Sequence, residues 1–329
     1  MSNPLLRIED LTVEFQTDTH RFCVVEGFSL SIAAGETVGL VGESGSGKTV
    51  TALAILRLID PRAEIVAGHI WFRGEDILRK TEAEMRRIRG RKIAMIFQEP
   101  MTALNPSYTV GEQVAEVYRY QLRTSRADAK RRALEMFERV KLPSPRTMYG
   151  KYAHELSGGM RQRAMIAAAL ACKPDLLIAD EPTTALDVSI QAQILALLQD
   201  LQTEMGMAVL FVSHNLEVVA ELCKRVAVIY AGNLVEVGTV DTLFRRPAHP
   251  YTAGLLRSIP RRRQTLQPIT GSIFEPHAPP PGCCFHPRCP YAEARCIEEI
   301  PGLRQVKGDG SRENAPDAHV AACHFPLGQ

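Results

Sequence analysis

Short apolar runs alternate along this chain with longer segments of helical periodicity. Five of the runs are continuous, which is typical of strands that are buried on both faces of a sheet. The clearest helical segment begins after Asp187 or Ser189, either of which can cap a helix. Its apolar residues repeat every three or four positions as far as Leu201. This alternation predicts a mainly parallel α/β sheet. The five predicted strands are residues 38–41, 93–97, 176–179, 208–212 and 226–230.

The beginning of the chain follows a different pattern, in which the apolar residues alternate with polar ones. A period of two is typical of antiparallel strands that expose one face to solvent. The sequence therefore predicts a small antiparallel β layer that precedes the main sheet. The alternating apolar residues are Leu6, Ile8, Leu11, Val13 and Phe15, followed by Phe28, Leu30 and Ile32.

Two further segments depart from the α/β pattern. Residues 99–160 are polar and mostly helical, with an apolar stripe at Ala133, Phe137 and Val140, and they predict an inserted helical subdomain. After residue 257 the sequence becomes basic and then rich in proline, which favours a connection without regular structure. We therefore expect a main domain at residues 1–257 and a C-terminal extension at residues 258–329.

The composition is that of an ordinary globular protein, with 45% hydrophobic and 23% charged residues among 329. It excludes disordered, collagenous and coiled-coil chains. The longest apolar run, residues 164–172, is about half of the ~20 residues that cross a bilayer, and the N-terminal segment lacks the apolar stretch of a signal peptide. We therefore expect a cytoplasmic protein. The net charge of +2 is too balanced to indicate a nucleic-acid partner.

A glycine-rich octapeptide, GESGSGKT at residues 42–49, follows the first predicted strand and matches the P-loop pattern. Its glycines let the backbone turn N–H groups towards an anion, and Lys48 supplies a cation for the β and γ phosphates of a nucleotide. The hydroxyl of Thr49 suits Mg²⁺. The sequence therefore predicts a nucleoside triphosphate site with Mg²⁺. The predicted residues are Gly42, Ser44, Gly45, Ser46, Gly47, Lys48, Thr49 and Val50.

Two acidic residues, Asp180 and Glu181, leave the third predicted strand side by side in the segment LLIADEP. Ligands of parallel sheets bind at such carboxyl ends of strands. Asp180 would hold Mg²⁺ through a water molecule, and Glu181 would polarise the attacking water. An isolated acidic pair after a strand can also be a helix cap. Because the chain also carries a P-loop, we favour the catalytic interpretation.

The segment LSGGM at residues 156–160, followed by RQR, resembles the signature sequence of ATP-binding cassette (ABC) proteins. The resemblance covers at least residues 5–255. It implies a P-loop NTPase fold of the ABC type, in which a mainly parallel sheet is joined by an N-terminal antiparallel β layer, an inserted helical subdomain and a small cysteine-rich C-terminal extension. It also implies that the chain binds and hydrolyses ATP.

The same resemblance assigns roles to four further residues. Gln98 would sense Mg²⁺ and the attacking water, His214 would touch the γ-phosphate, and Asp187 would belong to the D-loop. Phe15 stands where the family places an aromatic residue that stacks on adenine. Each has a structural alternative: a strand end for Gln98, a surface histidine for His214, a cap for Asp187 and a core residue for Phe15.

The signature itself has a physical rationale. A helix that starts after Ser157, Gly158 and Gly159 offers unpaired N–H groups and a positive dipole end to an anion. In the family that this chain resembles, the N-terminus of that helix closes over an ATP molecule that the P-loop of another cassette holds. A chain with one cassette therefore needs a second cassette from elsewhere.

Three longer segments resemble the ATPase subunits of dipeptide, oligopeptide and nickel importers. They are MIFQEPMTALNP at 95–106, EPTTALDVSIQAQIL at 181–195 and RRPAHPYTAGLL at 245–256. The resemblance implies a peripheral subunit at the cytoplasmic face of the inner membrane, bound to two transmembrane permease subunits and paired with a distinct second ATPase subunit as a heterodimer. An extracytoplasmic substrate-binding protein would take part indirectly. Peptides are the first expectation for the solute, with nickel or another chelated metal, opines and small glycosides as alternatives.

Five of the eight cysteines lie in the C-terminal extension, and in a reducing cytosol such crowding favours a metal or cluster site over disulfides. The segment GCCFHPRCPYAEARC resembles the extension of that subfamily, in which four cysteines bind a four-iron, four-sulfur (4Fe-4S) cluster. The resemblance leaves Cys284 as an extra thiol. Zinc and free buried thiols stay open as alternatives, although zinc sites favour closely spaced cysteine pairs and no C-x-x-C pair occurs. The implied ligands are Cys283, Cys289, Cys296 and Cys323.

Two positions depart from the subfamily pattern, and two other functions compete with transport. Asn215 stands where Asp usually follows the switch histidine, and Ala153 stands where Pro is common; neither change removes a catalytic group. The first alternative is a cassette ATPase that acts in translation or DNA repair. Such a protein would usually carry two cassettes or a long coiled coil, and neither occurs in this sequence. An ATP-binding iron–sulfur regulator would need neither Glu181 nor His214.

Overall fold

The computed structural model describes residues 3–184, 186–259, 269–275, 277–306 and 318–328. The first part of the predicted proline-rich connection, residues 260–268, lies outside the described residues. Within the described ranges the strands are β1 (Leu6–Gln16), β2 (Arg21–Ile32), β3 (Thr37–Val41), β4 (Ala63–Phe72), β5 (Glu75–Asp76), β6 (Ile93–Ile96), β7 (Leu176–Asp180), β8 (Ala208–Ser213), β9 (Arg225–Tyr230), β10 (Asn233–Thr239), β11 (Arg304–Gln305) and β12 (Val320–Ala321).

The helices of the described ranges lie mostly between the central strands, as the alternating pattern predicts. Three short 3₁₀ turns, at Ile77–Arg79, Ala153–Glu155 and His286–Arg288, accompany them. The α-helices are α1 (Lys48–Ile55), α2 (Glu82–Ile88), α3 (Pro100–Ala103), α4 (Val110–Leu122), α5 (Arg126–Arg139), α6 (Pro145–Tyr149), α7 (Gly158–Leu170), α8 (Val188–Met205), α9 (Leu216–Leu222), α10 (Val240–Arg245), α11 (Pro250–Arg257) and α12 (Ala294–Glu298).

The chain folds into two compact units. The first comprises Met1–Ala33, Thr37–Arg79 and Phe211–Gln329, and the second comprises Ala34–Glu36 and Lys80–Leu210. The C-terminal extension thus belongs to the same unit as the P-loop segment. The predicted domain boundary after residue 257 and the predicted helical subdomain at 99–160 stay predictions.

An antiparallel sheet in the order β2-β1-β4-β5 forms one layer of the first unit. Leu6 pairs with Ile32 of β2 and with Phe72 of β4, and bulges interrupt both ladders. Leu6, Ile8 and the other alternating residues of β1 up to Val13 are at most 1% exposed, so the period-two pattern buries one face as predicted. β4 and β5, which the pattern did not predict, complete the layer.

The other strands of the first unit surround β3, the strand that precedes the P-loop. β9 runs parallel to β3, with Val38 opposite Arg225. β10 is antiparallel to β9, β12 to β10, and β11 to β12. The pairing of β10 with β12 is made with the C-terminal extension, in which Val320 lies opposite Val237. The extension is therefore joined to this unit by main-chain hydrogen bonds.

The second unit pairs β6 and β7 in parallel, with Ile93 opposite Leu176, and every residue of both strands is buried. The predicted apolar stripe of α5, from Ala133 to Val140, is fully buried. The predicted cap Asp187 accepts a hydrogen bond from the N–H of Ile190 at 2.9 Å and starts α8. Among the helices of the described ranges, none combines the length and the apolar character that a transmembrane span requires.

A buried carboxylate ties the extension to the first unit a second time. Glu236 of β10 is 0% exposed and accepts hydrogen bonds from the N–H groups of Ala248 (2.7 Å) and His249 (3.0 Å). Its third partner is Nε2 of His319, in the extension, at 2.6 Å. A buried carboxylate is costly unless donors surround it, and here one of the three donors comes from the extension.

The ring of His249 caps α11 from a fully enclosed position. Its Nδ1 accepts a hydrogen bond from the N–H of Tyr251 at 3.1 Å. Burial lowers the pKa of His249 to about 4, although Glu236 opposes the shift. The imidazole is therefore neutral in the folded protein at neutral pH.

This neutral ring predicts a loss of stability on mild acidification. Between pH 6.5 and about 4 the unfolded chain binds a proton at residue 249 that the folded chain does not bind, so the free energy of unfolding falls as the pH is lowered through this range. The full effect is roughly 3 kcal/mol at ~1.4 kcal/mol per pKa unit. Urea unfolding at several pH values measures it. His249→Asn, which keeps a side-chain acceptor for α11 but does not titrate, should flatten the dependence, and an unchanged slope would contradict this assignment.

Candidate nucleotide site

The P-loop connects the end of β3 to the first residue of α1. Lys48 opens that helix and is 5% exposed. Its Nζ donates hydrogen bonds to the backbone oxygens of Gly42 at 2.9 Å and Glu43 at 2.8 Å. The loop thus folds around its own ammonium group at a helix N-terminus, where the dipole and the N–H groups favour an anion.

The loop conformation depends on glycine at two positions. Gly45 and Gly47 have φ values of +78° and +96°, in the region that favours glycine. A Cβ at Gly47 would also lie 2.7 Å from the backbone oxygen of Val24. The predicted side chains beside these glycines differ in access: Ser46 is buried, Val50 is half-buried, and Ser44 and Thr49 are exposed.

The predicted catalytic carboxylate lies in the second unit, at the end of β7. Oε2 of Glu181 accepts hydrogen bonds from Nε2 of Gln98 and from Oγ1 of Thr184, both at 2.9 Å. Its backbone is left-handed, with φ of +44°, which is uncommon for a residue with a side chain. Asp180 is 2% exposed. The structure therefore brings Gln98 and Glu181 together, as expected of residues that end adjacent parallel strands.

Thr184 is a contact that sequence reasoning missed. Its hydroxyl and Gln98 hold the same carboxylate oxygen of Glu181. The available signal was the spacing in EPTT, because a threonine three residues after an acid can reach back to its side chain.

The signature segment forms the start of α7 in the second unit. Ser157 is its N-cap and accepts a hydrogen bond from the N–H of Met160 at 3.3 Å. Gly158 and Gly159 are the first two residues of the helix, and Ser157 and Gly158 are exposed. The helix thus presents a capped, solvent-accessible N-terminus.

The residues at the ends of β1 and β8 lie in the first unit. His214 is exposed. Asn215 caps α9 by accepting hydrogen bonds from the N–H groups of Glu217 at 2.9 Å and Val218 at 3.4 Å. Because Asn and Asp cap helices about equally well, the departure at this position preserves the local fold.

Phe15 lies near the end of β1 and is half-buried. Its ring stacks on Phe22 with centroids 5.8 Å apart, and the Arg62 guanidinium lies 4.9 Å from its centre. An adenine that stacks on Phe15 therefore meets a ring that already has a cationic neighbour.

The cysteines of the extension lie close enough to influence one another. The N–H of Cys283 donates to the backbone oxygen of Cys296 at 2.8 Å. Burial, with a smaller contribution from Cys283, Cys289 and Cys296, raises the pKa of Cys323 to about 11. Gly282 has φ of +68°, and a Cβ there would lie 2.5 Å from the oxygen of Cys296, so this turn requires glycine.

These cysteines do not form a preassembled metal site. Within the ranges that the structure describes, no three His, Cys, Asp or Glu side chains are grouped so as to hold a metal ion, and all eight cysteines are free thiols. The predicted cluster or zinc ligands Cys283, Cys289, Cys296 and Cys323 are therefore neighbours rather than a formed ligand set. Burial raises the pKa of Cys283, Cys289 and Cys323, and each thiol would have to lose its proton to bind a metal.

Comparison with known proteins covers nearly the whole chain. The model of the family "ABC transporter" matches residues 25–184, and that of the "Oligopeptide/dipeptide transporter, C-terminal region" matches residues 235–296. A probable peptide ABC transporter ATP-binding protein of Sinorhizobium fredii is 48% identical, covering 98% of this chain and 96% of that protein. A putative peptide import ATP-binding protein of Brucella melitensis is 51% identical, covering 94% and 96%.

Solved structures agree with this assignment. The dimeric structure of a post-hydrolysis state of an ATP-binding cassette, bound to ADP and phosphate, is similar with a TM-score of 0.65 and 28% identity. It covers 71% of this chain and 98% of the other. The predicted α/β cassette fold is thereby confirmed. With the P-loop, the signature helix and these relatives in agreement, the chain belongs to the ABC transporter family, as an ATPase of that family with an oligopeptide/dipeptide transporter C-terminal region.

Proposed function

We propose that this chain is the ATP-binding and ATP-hydrolysing subunit that energises a bacterial peptide importer, acting as a peripheral protein at the cytoplasmic face of the inner membrane. The observation that carries the proposal is similarity over nearly the full length, extension included, to proteins described as peptide import ATP-binding proteins. In this proposal, passage of solute through the membrane belongs to other subunits.

The P-loop binds the triphosphate of ATP in this proposal. Lys48 exchanges its bonds with the oxygens of Gly42 and Glu43 for bonds to the β and γ phosphates, and the N–H groups of residues 42–49 complete the cradle. Ser44 and Ser46 lie within the loop, and Val50 in the first turn of α1. Phe15 packs against the adenine ring.

Mg²⁺ is the cation that the proposed oxygen donors suit. The hydroxyl of Thr49 and the carboxylate of Asp180 are hard oxygen ligands, and Gln98, whose Nε2 donates to Glu181, adds an amide oxygen of the same kind. The cation supplies charge neutralisation at the phosphate oxygens. These donors fit it in kind and number if several water molecules remain bound to the ion.

Glu181 orients and polarises the attacking water. Gln98 and Thr184 fix its carboxylate through Oε2, so that the rotamer is already selected before nucleotide arrives. His214, exposed at the end of β8, contacts the γ-phosphate.

A second cassette completes each ATP site. The N-terminus of α7, with Ser157, Gly158 and Gly159, closes on the nucleotide of the opposite subunit, and Asp187 acts at the same interface while it caps α8. We propose a distinct paralogue as that subunit, two transmembrane permease subunits as the membrane partners, and an extracytoplasmic binding protein that delivers the solute. No nucleic acid takes part.

We further propose that Cys283, Cys289, Cys296 and Cys323 hold a 4Fe-4S cluster, with zinc as the alternative. Support comes from the four thiols, which influence one another electrostatically, and from the turn at Gly282 that brings Cys283 to Cys296. Thiolates are the ligands that such clusters prefer. When bound, the cluster supplies cross-links to a segment that is too short to bury a core of its own.

The role of Glu181 predicts separate effects on binding and turnover. Glu181→Gln should lower ATP hydrolysis by roughly 10² to 10⁴ while ATP is still bound, because the amide cannot polarise water. Phosphate release by the full transporter complex, together with nucleotide binding, measures both quantities. Lys48→Ala should instead weaken binding itself. Turnover that survives Glu181→Gln would remove Glu181 from this role.

The transport function predicts a solute-specific loss of uptake. Cells that lack this subunit should take up labelled di- and oligopeptides more slowly, and the wild-type gene should restore uptake whereas the Glu181→Gln variant should not. Unchanged peptide uptake, with a loss of nickel uptake instead, would contradict the peptide assignment and leave the ATPase assignment in place.

The cysteine set predicts the metal content of protein purified without oxygen. About four iron and four sulfide per chain are expected, and Cys289→Ser should lose them. Cys284→Ser is the matched control and should retain them, since Cys284 is outside the proposed ligand set. Stoichiometric zinc, or no metal at all, would refute the cluster.

A further inference from the structure

The P-loop contains a carboxylate, Glu43, in a segment that has to bind a polyanion. The side chain of Glu43 is 30% exposed, so water screens it only in part. For unit charges about 10 Å apart at an effective dielectric constant of ~20, repulsion is enough to weaken binding roughly tenfold. The loop therefore binds a triphosphate well only if a cation neutralises Glu43.

Arg288 of the C-terminal extension supplies that cation. Its Nη1 donates to Oε2 of Glu43 at 2.7 Å and its Nη2 donates to Oε1 at 3.0 Å, so the pair is bidentate. The side chain of Arg288 is 5% exposed. The guanidinium of an arginine stays charged at any physiological pH. A bidentate pair with one buried partner fixes position as well as charge.

The guanidinium of Arg288 is itself held in place. Its Nε donates to the backbone oxygen of Thr270 at 3.0 Å, and its Cζ lies 5.7 Å from the ring centre of Tyr230. Arg288 closes the 3₁₀ turn His286–Arg288. Contacts on three sides therefore orient the fork towards Glu43.

The main chain of Glu43 is held by the same region. The N–H of Glu43 donates to the hydroxyl of Tyr251 at 2.8 Å. The ring of Tyr251 packs on Tyr230 and on Phe285 of the extension, with centroids 4.7 and 5.3 Å apart, and all three rings are at most 2% exposed. We call Glu43, Tyr230, Tyr251, Phe285 and Arg288 the P-loop anchor.

The anchor reaches the phosphate-binding lysine through the main chain of one residue, Glu43. The backbone oxygen of Glu43 accepts a hydrogen bond from Nζ of Lys48 at 2.8 Å and another from the N–H of Ser46 at 3.2 Å. A shift of the Glu43 main chain therefore moves the partner of two groups of the phosphate cradle, Nζ of Lys48 and the N–H of Ser46.

We propose that Arg288 is a positioning residue for nucleotide binding: it neutralises Glu43 and fixes the P-loop, so that the cysteine-bearing extension sets the affinity for ATP. The inference rests on the proposed function, because it presupposes that the P-loop binds ATP. Arg288 directly precedes Cys289, and Phe285 lies two residues after Cys283.

Equilibrium binding of ATP to the full-length chain tests the proposal in a double-mutant cycle. Arg288→Met should raise the Kd for ATP roughly tenfold, because it leaves the Glu43 carboxylate unpaired. Adding Glu43→Gln to that variant should recover most of the affinity, since the repelling charge is gone. Arg288→Lys keeps the charge but not the fork and should lie between Arg288→Met and the wild type. High salt should narrow the difference between Arg288→Met and the wild type.

Three controls separate the possible failures. Arg295→Met removes another arginine of the extension, whose partner Glu299 lies at the surface, and it should leave the Kd unchanged. The proposal would be overturned if Arg295→Met raised the Kd for ATP as much as Arg288→Met does. It would also be overturned if adding Glu43→Gln to a folded Arg288→Met protein did not restore the affinity for ATP. Either result would leave Arg288 with a merely structural role. The thermal unfolding midpoint of each variant reports folding. A wild-type chain that binds no ATP would instead overturn the proposed function.

Discussion

The charge balance of one short loop is the constraint on which the rest of the structure depends. Residues 42–49 have to present N–H groups and the buried ammonium of Lys48 to a polyanion, and the same loop carries the carboxylate of Glu43. Lys48 is held by main-chain oxygens of the loop, and Glu43 is held by Arg288. Each charge thus has a partner that is geometrically fixed, which prepares the loop before ATP arrives.

The C-terminal extension is an integral part of the first unit rather than an appendage. Three kinds of interaction join it: the ladder between β10 and β12, the buried contact of His319 with Glu236, and the aromatic packing of Phe285. The segment 245–256, which marks the subfamily in sequence, lies at the centre of these contacts, because His249 caps α11 and Tyr251 reaches the P-loop. The segment that marks the subfamily in sequence therefore has a structural role in this unit.

Sequence reasoning succeeded where a signal is local. Continuous apolar runs predicted β3, β6, β7, β8 and β9, and period-two alternation predicted the antiparallel layer. It missed β4, whose first residues are exposed or only half-buried, and β10, in which the buried Glu236 interrupts an apolar run.

Predictability of the site followed the same rule. The contact between Gln98 and Glu181 could be predicted because both residues follow predicted parallel strands. The pair Glu43–Arg288 joins residues 245 positions apart, and no pattern in a single sequence indicates it. The crowding of the cysteines suggested a metal site and the family resemblance implied its ligands, but neither specifies whether the thiols converge.

The two long-range carboxylate pairs have a practical consequence for anyone who trims this protein. The change in composition after residue 257 invites a fragment that ends there and still contains every cassette motif. In such a fragment, Glu43 would lack its partner, the guanidinium of Arg288, and the buried Glu236 would lack the imidazole of His319. Weak nucleotide binding by this fragment would then be misread as a catalytic defect of the cassette. Its cause would be the loss of a counterion that the C-terminal extension carries.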